Sequence, residues 1–278
     1  MQQLFTILLK IILDFKTRVV VNNFYMKKSD IVFESSKMLK NMQVKNKKIN
    51  NNITKSWFTG NESYSIFDIK DLYAFDVNLK RELIKLLKSE IRKYLKEKQI
   101  NCKSVLVVGL GNKDMVADYL GDKVVSRIFA TRQFDKRLID DRFIDVSSYS
   151  LGVFGKTGIE SASVVEKLKE IVNPDLIIAV DTFVTNKYER LNKSLQISSC
   201  GISPGAGVDN ARKYINYEFL KVPVFSIGVP LLINHKNSTF MDKEIEKYVK
   251  FYAEIIASSI NTSVNKNVSE SEIEKLMY

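Results

Sequence analysis

From residue 76 to about 99, apolar side chains return every three or four positions: Leu79, Leu83, Leu86, Leu87, Ile91 and Leu95, with charges between them. That period describes one face of an α-helix, so an amphipathic helix lying on a sheet is predicted there. Asn101 closes it, and SVLVVGL from Ser104 is a continuous apolar run of the kind a strand shows when buried on both faces. LIIAV after Asn173-Pro174-Asp175 and PVFSIGV from Pro223 read the same way. Helical spacing returns over 119–130, with Val124, Val125 and Ile128 inward, and over 157–172, where Thr157 or Ser161 offers a cap. A closing helix over 241–261 sets Ile245, Tyr248, Val249, Tyr252, Ile255 and Ile256 on one side, and a short strand is expected at 142–146. Alternating strands and helices predict an α/β fold: a largely parallel twisted sheet with helices on both faces, in three layers. Residues 37–55 are rich in Lys and Asn without steady period, which predicts an exposed loop or irregular edge. The expected organisation is an N-terminal extension over 1–30, a single α/β domain over 31–265 with an irregular region at 37–75, and a tail over 266–278.

Composition narrows this picture. At 278 residues and 45% hydrophobic, the chain can bury one large core. Cys102 and Cys200 are too far apart for a disulfide framework or a zinc pattern and fit a reducing compartment. A single histidine, His235, leaves no multi-histidine metal site and makes a Ser-His-Asp arrangement a poor fit. The net charge of +11 is spread along the chain beside many Asn, without the aromatic interleaving that reads single strands, so direct nucleic-acid binding is not expected. The apolar stretch LFTILLKIILDF is interrupted by Lys10 and is too short to span a bilayer. It reads as an amphipathic helix, a membrane-surface or partner contact, or translation assigned too far upstream, with Met26 as an alternative start. A soluble protein is expected.

The candidate chemistry lies at two strand ends. Asp118, shortly after SVLVVGL, and Asp181, directly after LIIAV, are both set at the carboxyl edge of the sheet, where α/β folds bind ligands. Two carboxylates brought together there could share a proton and activate a water. The plain alternative is one acid capping a helix and the other paired with a nearby Lys. Gly109, Gly111 and Asn112 form a tight strand-to-helix turn. They resemble the start of a dinucleotide fingerprint, but Asp114 stands where the third glycine belongs. A second cluster, Gly201, Gly205 and Gly207, could cradle an anion or an extended peptide, or could be a connecting turn.

Taken in order, SDIVFES, VVGLGN, DYLGDKVV, GVFGKTGIES, NPDLIIAVD, ERLNKSLQIS, GISPGAGVDNARK and PVFSIGVP resemble the germination protease family of spore-forming bacteria over about residues 26–265. The resemblance implies a fold like that of hydrogenase-maturation peptidases and an endopeptidase that degrades small acid-soluble spore proteins during germination. It also implies a self-processing zymogen, a homotetramer, and residence in the cytoplasm of the spore core. Asp118 and Asp181 match the family's essential aspartates, and its propeptide junction falls between Asp30 and Ile31. No cofactor, metal or membrane partner is implied. Several positions depart from the family pattern: Ala117, Asp122, Gln133, Ser199 and Ser203 replace its usual residues, and an insertion is missing between Val229 and Met241. Two other functions therefore stay open: a catalytically degenerate member acting as a structural or assembly protein, and a metal-assisted maturation-type peptidase.

Overall fold

The computed structural model describes residues 29–34, 43–60, 62–73, 76–135, 137, 139–205, 213–235 and 238–277. The LFTILLKIILDF stretch, Met26 and Gly207 lie outside them. The frame is a nine-stranded sheet in the order β1-β2-β3-β7-β8-β6-β4-β5, with β9 added to the end of β8. The strands are β1 (Lys45–Lys48), β2 (Ile53–Thr59), β3 (Ser63–Ile69), β4 (Ser104–Gly109), β5 (Asp145–Ser150), β6 (Leu176–Thr185), β7 (Ser194–Ser198), β8 (Val224–His235) and β9 (Ser238–Phe240). Strands β8, β6, β4 and β5 run parallel, and the three apolar runs read from sequence form three of those four strands. Strands β7, β3, β2 and β1 extend it antiparallel.

Helices cover both faces, as the alternating pattern requires. One face carries α1 (Val77–Glu97), α2 (Leu120–Val125) and α6 (Ile245–Val264), packed on Val105, Val107, Ile178, Val180, Ile227 and Val229. The other carries α4 (Ser161–Val172), whose Ala162 and Val165 share a cluster with Leu106, Val108, Ile177 and Ala179. Helix α1 begins where the Asp76 carboxylate accepts the N–H groups of Asn78 and Leu79, the usual remedy for unpaired donors at a helix start. Helix α6 is buried along most of its length, and its Tyr252 hydroxyl donates to the Asn192 carbonyl at 2.7 Å. Among the described residues no helix is long and apolar enough to cross a membrane.

Several boundaries differ from expectation. The region over 37–75 is not irregular where it is described: β1, β2 and β3 form an antiparallel meander there. β1 was hidden because all four of its residues are exposed, so no alternation marks it. Helix α2 is shorter than 119–130 because the Ser126 hydroxyl and the Arg127 guanidinium both donate to the Lys123 carbonyl, taking the acceptor that another turn would use. The helix expected over 157–172 is divided into α3 (Phe154–Thr157) and α4 by Gly158, whose φ of 66° ends the first piece. Neither Thr157 nor Ser161 caps α4; Ser161 is its first residue and donates to the Gly152 carbonyl. A further short helix, α5 (Tyr217–Leu220), precedes β8. The tail over 266–278 contains α7 (Glu270–Met277), which buries Ile273 with Phe129 and Val268. Residues 29 and 30 belong to the body of the domain, since the Asp30 N–H donates to the Val184 carbonyl on β6 at 2.9 Å.

The approach of β4 to α2 demands glycine. A Cβ on Gly109 would meet the Gly121 carbonyl oxygen at 2.2 Å, and one on Gly121 would meet the Leu110 carbonyl oxygen at 2.3 Å. Backbone cannot step aside as a side chain can. Gly109→Ala is expected to lower unfolding free energy by about 3 kcal/mol, read as a shifted urea midpoint. An unchanged midpoint would mean that strand and helix are not this close.

Candidate functional site

The two candidate aspartates are placed by one topological event: β4 ends and β6 does not. The last β4–β6 pair is Gly109 with Val180, and the Leu110 N–H then donates to the Val180 carbonyl at 2.8 Å. Asp181 is the next residue of β6, which runs on to Thr185 beside β8 alone. The chain leaving β4 turns back through a single 3-10 turn, Val116–Asp118. Gly111 makes that turn possible, with φ of 113° and a position where a Cβ would lie 1.9 Å from the Asp118 carbonyl oxygen. The Asn112 N–H donates to Asp118 Oδ2 at 2.9 Å, and the Thr182 N–H donates to Asp181 Oδ1 at 2.8 Å.

Burial dominates the electrostatics. It raises the Asp118 carboxyl to about 6, against the opposing pull of the Asn112 amide. Asp181 is raised well above the ordinary carboxylate range, first by burial, then by repulsion from Asp118 and from Asp30. The sequence-matched acids are therefore close enough to repel, and such a pair keeps one proton through a range where two isolated carboxyls would both be ionised.

Asp30 is the feature sequence reading missed. The sequence marks it as part of a cleavage junction, not as a neighbour of the pair. Its carboxylate accepts the Val184 N–H at 2.8 Å, and the Ser29 hydroxyl donates to the Val184 carbonyl at 3.2 Å. Ile31 and Phe33 are buried beside the sheet, Phe33 against Phe58 with ring centroids 5.7 Å apart. Glu34 ends the segment: its carboxylate accepts from the Thr185 hydroxyl and, at 2.7 Å, from the Asn186 N–H. Arg190 lies 3.4 Å from Glu34 and 3.2 Å from Asp68, so it is a half-buried bridge and not the solvated cation that most such residues are.

Gln196 on β7 also went unnoticed. It pairs with Gly228 of β8, and Gly228 pairs with Asp181 of β6, so the three form one row across adjacent strands. Gly228 leaves space in that row for the Phe183 ring; a Cβ there would meet the ring at 2.1 Å. The remaining sequence candidates divide clearly. Gly109, Gly111 and Asn112 build the Asp118 turn. Gly201, with φ of 81°, instead lets the chain cross Ile215, whose carbonyl oxygen a Cβ would meet at 2.0 Å, and Gly205 has φ of 69°. Two of the departures are also local: Ser199 accepts the Ser63 N–H, and Asp122 accepts from the Ser150 hydroxyl. Among the described residues no group of three or more His, Cys, Asp or Glu side chains is arranged to hold a metal ion.

Fold and site together define a class: an α/β protein with two interacting carboxyls, Asp181 buried and Asp118 half-buried, at the carboxyl edge of its parallel strands. Comparison with known proteins gives the family. The germination protease family model matches residues 16–240. The chain is similar to the germination protease of Clostridium perfringens strain ATCC 13124, at 34% identity over 79% of this chain and 68% of that protein. It is 37% identical to the Clostridium tetani germination protease over 62% of this chain and 54% of that one, and 37% identical to the Caldanaerobacter subterraneus germination protease over 66% and 59%. The matches thus span about half to two thirds of these relatives' lengths. Among solved structures, a nickel–iron hydrogenase maturation protease from Thermococcus kodakarensis KOD1 matches at a TM-score of 0.37 and 16% identity, over 62% of this chain and 98% of that one. The chain belongs to the germination protease family and is, by that membership, a peptidase.

The raised Asp118 carboxyl carries a stability consequence. Below the unfolded-state value near 4 the group is protonated in both states. As pH rises towards 6 the unfolded chain ionises first, so the contribution of Asp118 to stability is lost over that window. Asp118→Asn should abolish about 3 kcal/mol of this decline, making urea midpoints between pH 4 and 7 flatter than the parent's. Equal slopes in parent and variant would contradict the burial of Asp118.

Proposed function

We propose that the chain is an endopeptidase of spore germination that uses Asp118 and Asp181 to hydrolyse small acid-soluble spore proteins. The observation that carries this reading is the repelling acid pair, Asp181 buried and Asp118 half-buried, with one of the chain's own peptide segments beside it. One carboxylate, ionised, takes a proton from a water held between the pair. The water oxygen attacks the substrate carbonyl carbon, and the protonated carboxyl stabilises the oxygen that gains charge. The C–N bond then breaks, and the leaving nitrogen receives a proton from the pair. The roles belong to the pair, since either acid can hold the shared proton.

The same chemistry applied in cis makes the chain a zymogen, cut between Asp30 and Ile31. Its support is that Asp30 raises the Asp181 carboxyl by its charge and is hydrogen-bonded to β6 three residues beyond Asp181. After that cut Ile31, Phe33 and Glu34 stay anchored by the contacts already described, so the mature chain would start on a fixed element. On the family pattern we further propose a homotetramer acting in the cytoplasm of the spore core without a cofactor.

Incubating the full chain alone and with a small acid-soluble spore protein tests this. N-terminal sequencing should find Ile31 as the new first residue, and Asp118→Asn and Asp181→Asn should each lower the rate about a thousandfold, with chelator making no difference. The rate should rise as the pair loses its first proton and fall as it loses the second, giving a bell-shaped profile. A folded parent that cleaves nothing would favour an assembly role, and chelator sensitivity a metal-assisted one.

A further inference from the structure

We infer that Gln196 is the residue that grips the scissile peptide: its amide donates to the carbonyl about to be attacked and fixes the strand in register beside Asp181. This deepens the endopeptidase reading and rests on it. Gln196 Nε2 donates to the Asp30 carbonyl oxygen at 3.2 Å, and Gln196 Oε1 accepts the Val32 N–H at 2.9 Å. A carbonyl can only accept and an N–H can only donate, so the orientation of the amide is fixed by its partners. The two bonds reproduce one rung of a β-ladder with a side chain in place of a strand, and they straddle the Asp30–Ile31 bond. They read backbone only, so they would hold any extended peptide in the same frame.

Three further observations place this grip at the reaction centre. Gln196 is 3% exposed, a burial that an amide tolerates only when its hydrogen bonds are made. It points to the same face as Asp181, one strand beyond Gly228, so the two backbones are about 10 Å apart. The Phe183 ring covers Gly228 between them, and the Asp30 charge reaches Asp181 from the held segment. The held segment is also tied at its other end to the part of β6 that β4 no longer covers, through Ser29 and Asp30 to Val184. The Ile31 N–H, on the nitrogen that would leave, donates to the Ser29 hydroxyl at 3.0 Å.

In the reaction, water adds its oxygen to the Asp30 carbonyl carbon and gives one proton to the ionised carboxylate. The carbonyl oxygen becomes negative against Gln196 Nε2 and the protonated carboxyl. Collapse breaks the bond to the Ile31 nitrogen, which takes a proton from the pair, leaving a carboxylic acid on residue 30, whose proton then passes to the new amine on residue 31. Gln196 is thus a donor to the developing oxyanion, a role in which its bond strengthens as charge builds.

The test uses the full chain with Gln196→Met, which keeps the volume and removes both bonds, and Gln196→Glu, which keeps the acceptor and removes the donor. In an Asp118→Asn background, which blocks cutting, Gln196→Met should speed amide exchange at Val32 at least tenfold while the thermal midpoint shows the domain folded. In the otherwise native chain both variants should slow cutting at Asp30–Ile31 about a hundredfold. Gln196→Glu should recover towards acid pH, where a protonated Glu regains a donor, a pH dependence that a purely structural role would not produce. Cutting in the parent with an unchanged rate in Gln196→Met overturns the inference and leaves the peptidase reading standing. Absence of cutting in a folded parent overturns the peptidase reading and with it the oxyanion role, while loss of Val32 protection would still support the grip. Unchanged exchange at Val32 overturns the grip in every case.

Discussion

The molecule depends on an unequal pair of parallel strands. β4 stops at Gly109 while β6 continues for five residues beyond its last partner there, from Asp181 to Thr185. That mismatch gives the chain leaving β4 room to turn back and set Asp118 over the open stretch. It also leaves backbone groups of β6 available to an extended peptide, the position Ser29 and Asp30 occupy. The placing of the acid pair and the seat of the Ser29–Asp30 segment are one consequence of the same strand ending. The close backbone contacts at Gly109, Gly111 and Gly121 keep the turn from relaxing. Burial then does what charge alone would not: it makes full ionisation of the pair costly enough that a proton is retained.

Holding acids in this state works against the fold. Each raised carboxyl destabilises the native chain as pH rises, and the compensation comes from packing elsewhere. Helix α6 supplies much of it, with Ile255, Ile256 and Ile260 fully buried, each contributing about 2 kcal/mol by transfer from water. A second buried charge is treated differently. Glu34 is paired with Arg190 and hydrogen-bonded on both oxygens, and so anchors the segment. One family of side chains thus has two outcomes, separated by whether a cation is within reach.

Much of the frame was legible in the sequence. β4, β6 and β8 appear as unbroken apolar runs because both of their faces are covered, and α1 and α6 as strong 3.6-residue periods because one side meets the sheet. Asp118 and Asp181 stood out by lying at the ends of those runs, and the family motifs strengthened that reading. The rest was hidden for physical reasons. Lys45–Lys48 pairs as a strand while exposed throughout, so its pattern contains no buried face. Gln196 looks like any polar residue in SLQIS, since its partners Asp30 and Val32 lie more than 160 residues away in the chain. Asp30 meets β6 across more than 150 residues of chain, a contact with no local signature.

The account rests on Asp118 and Asp181 forming one titrating unit next to the peptide segment. The direct measurement is carboxyl carbon NMR of both residues in the full chain, followed across the pH range. The account predicts two coupled steps, with one proton retained well above the ordinary carboxylate range, and a lowered upper step when Asp30 is replaced by Asn. Two independent titrations near pH 4, unaffected by that substitution, would contradict it.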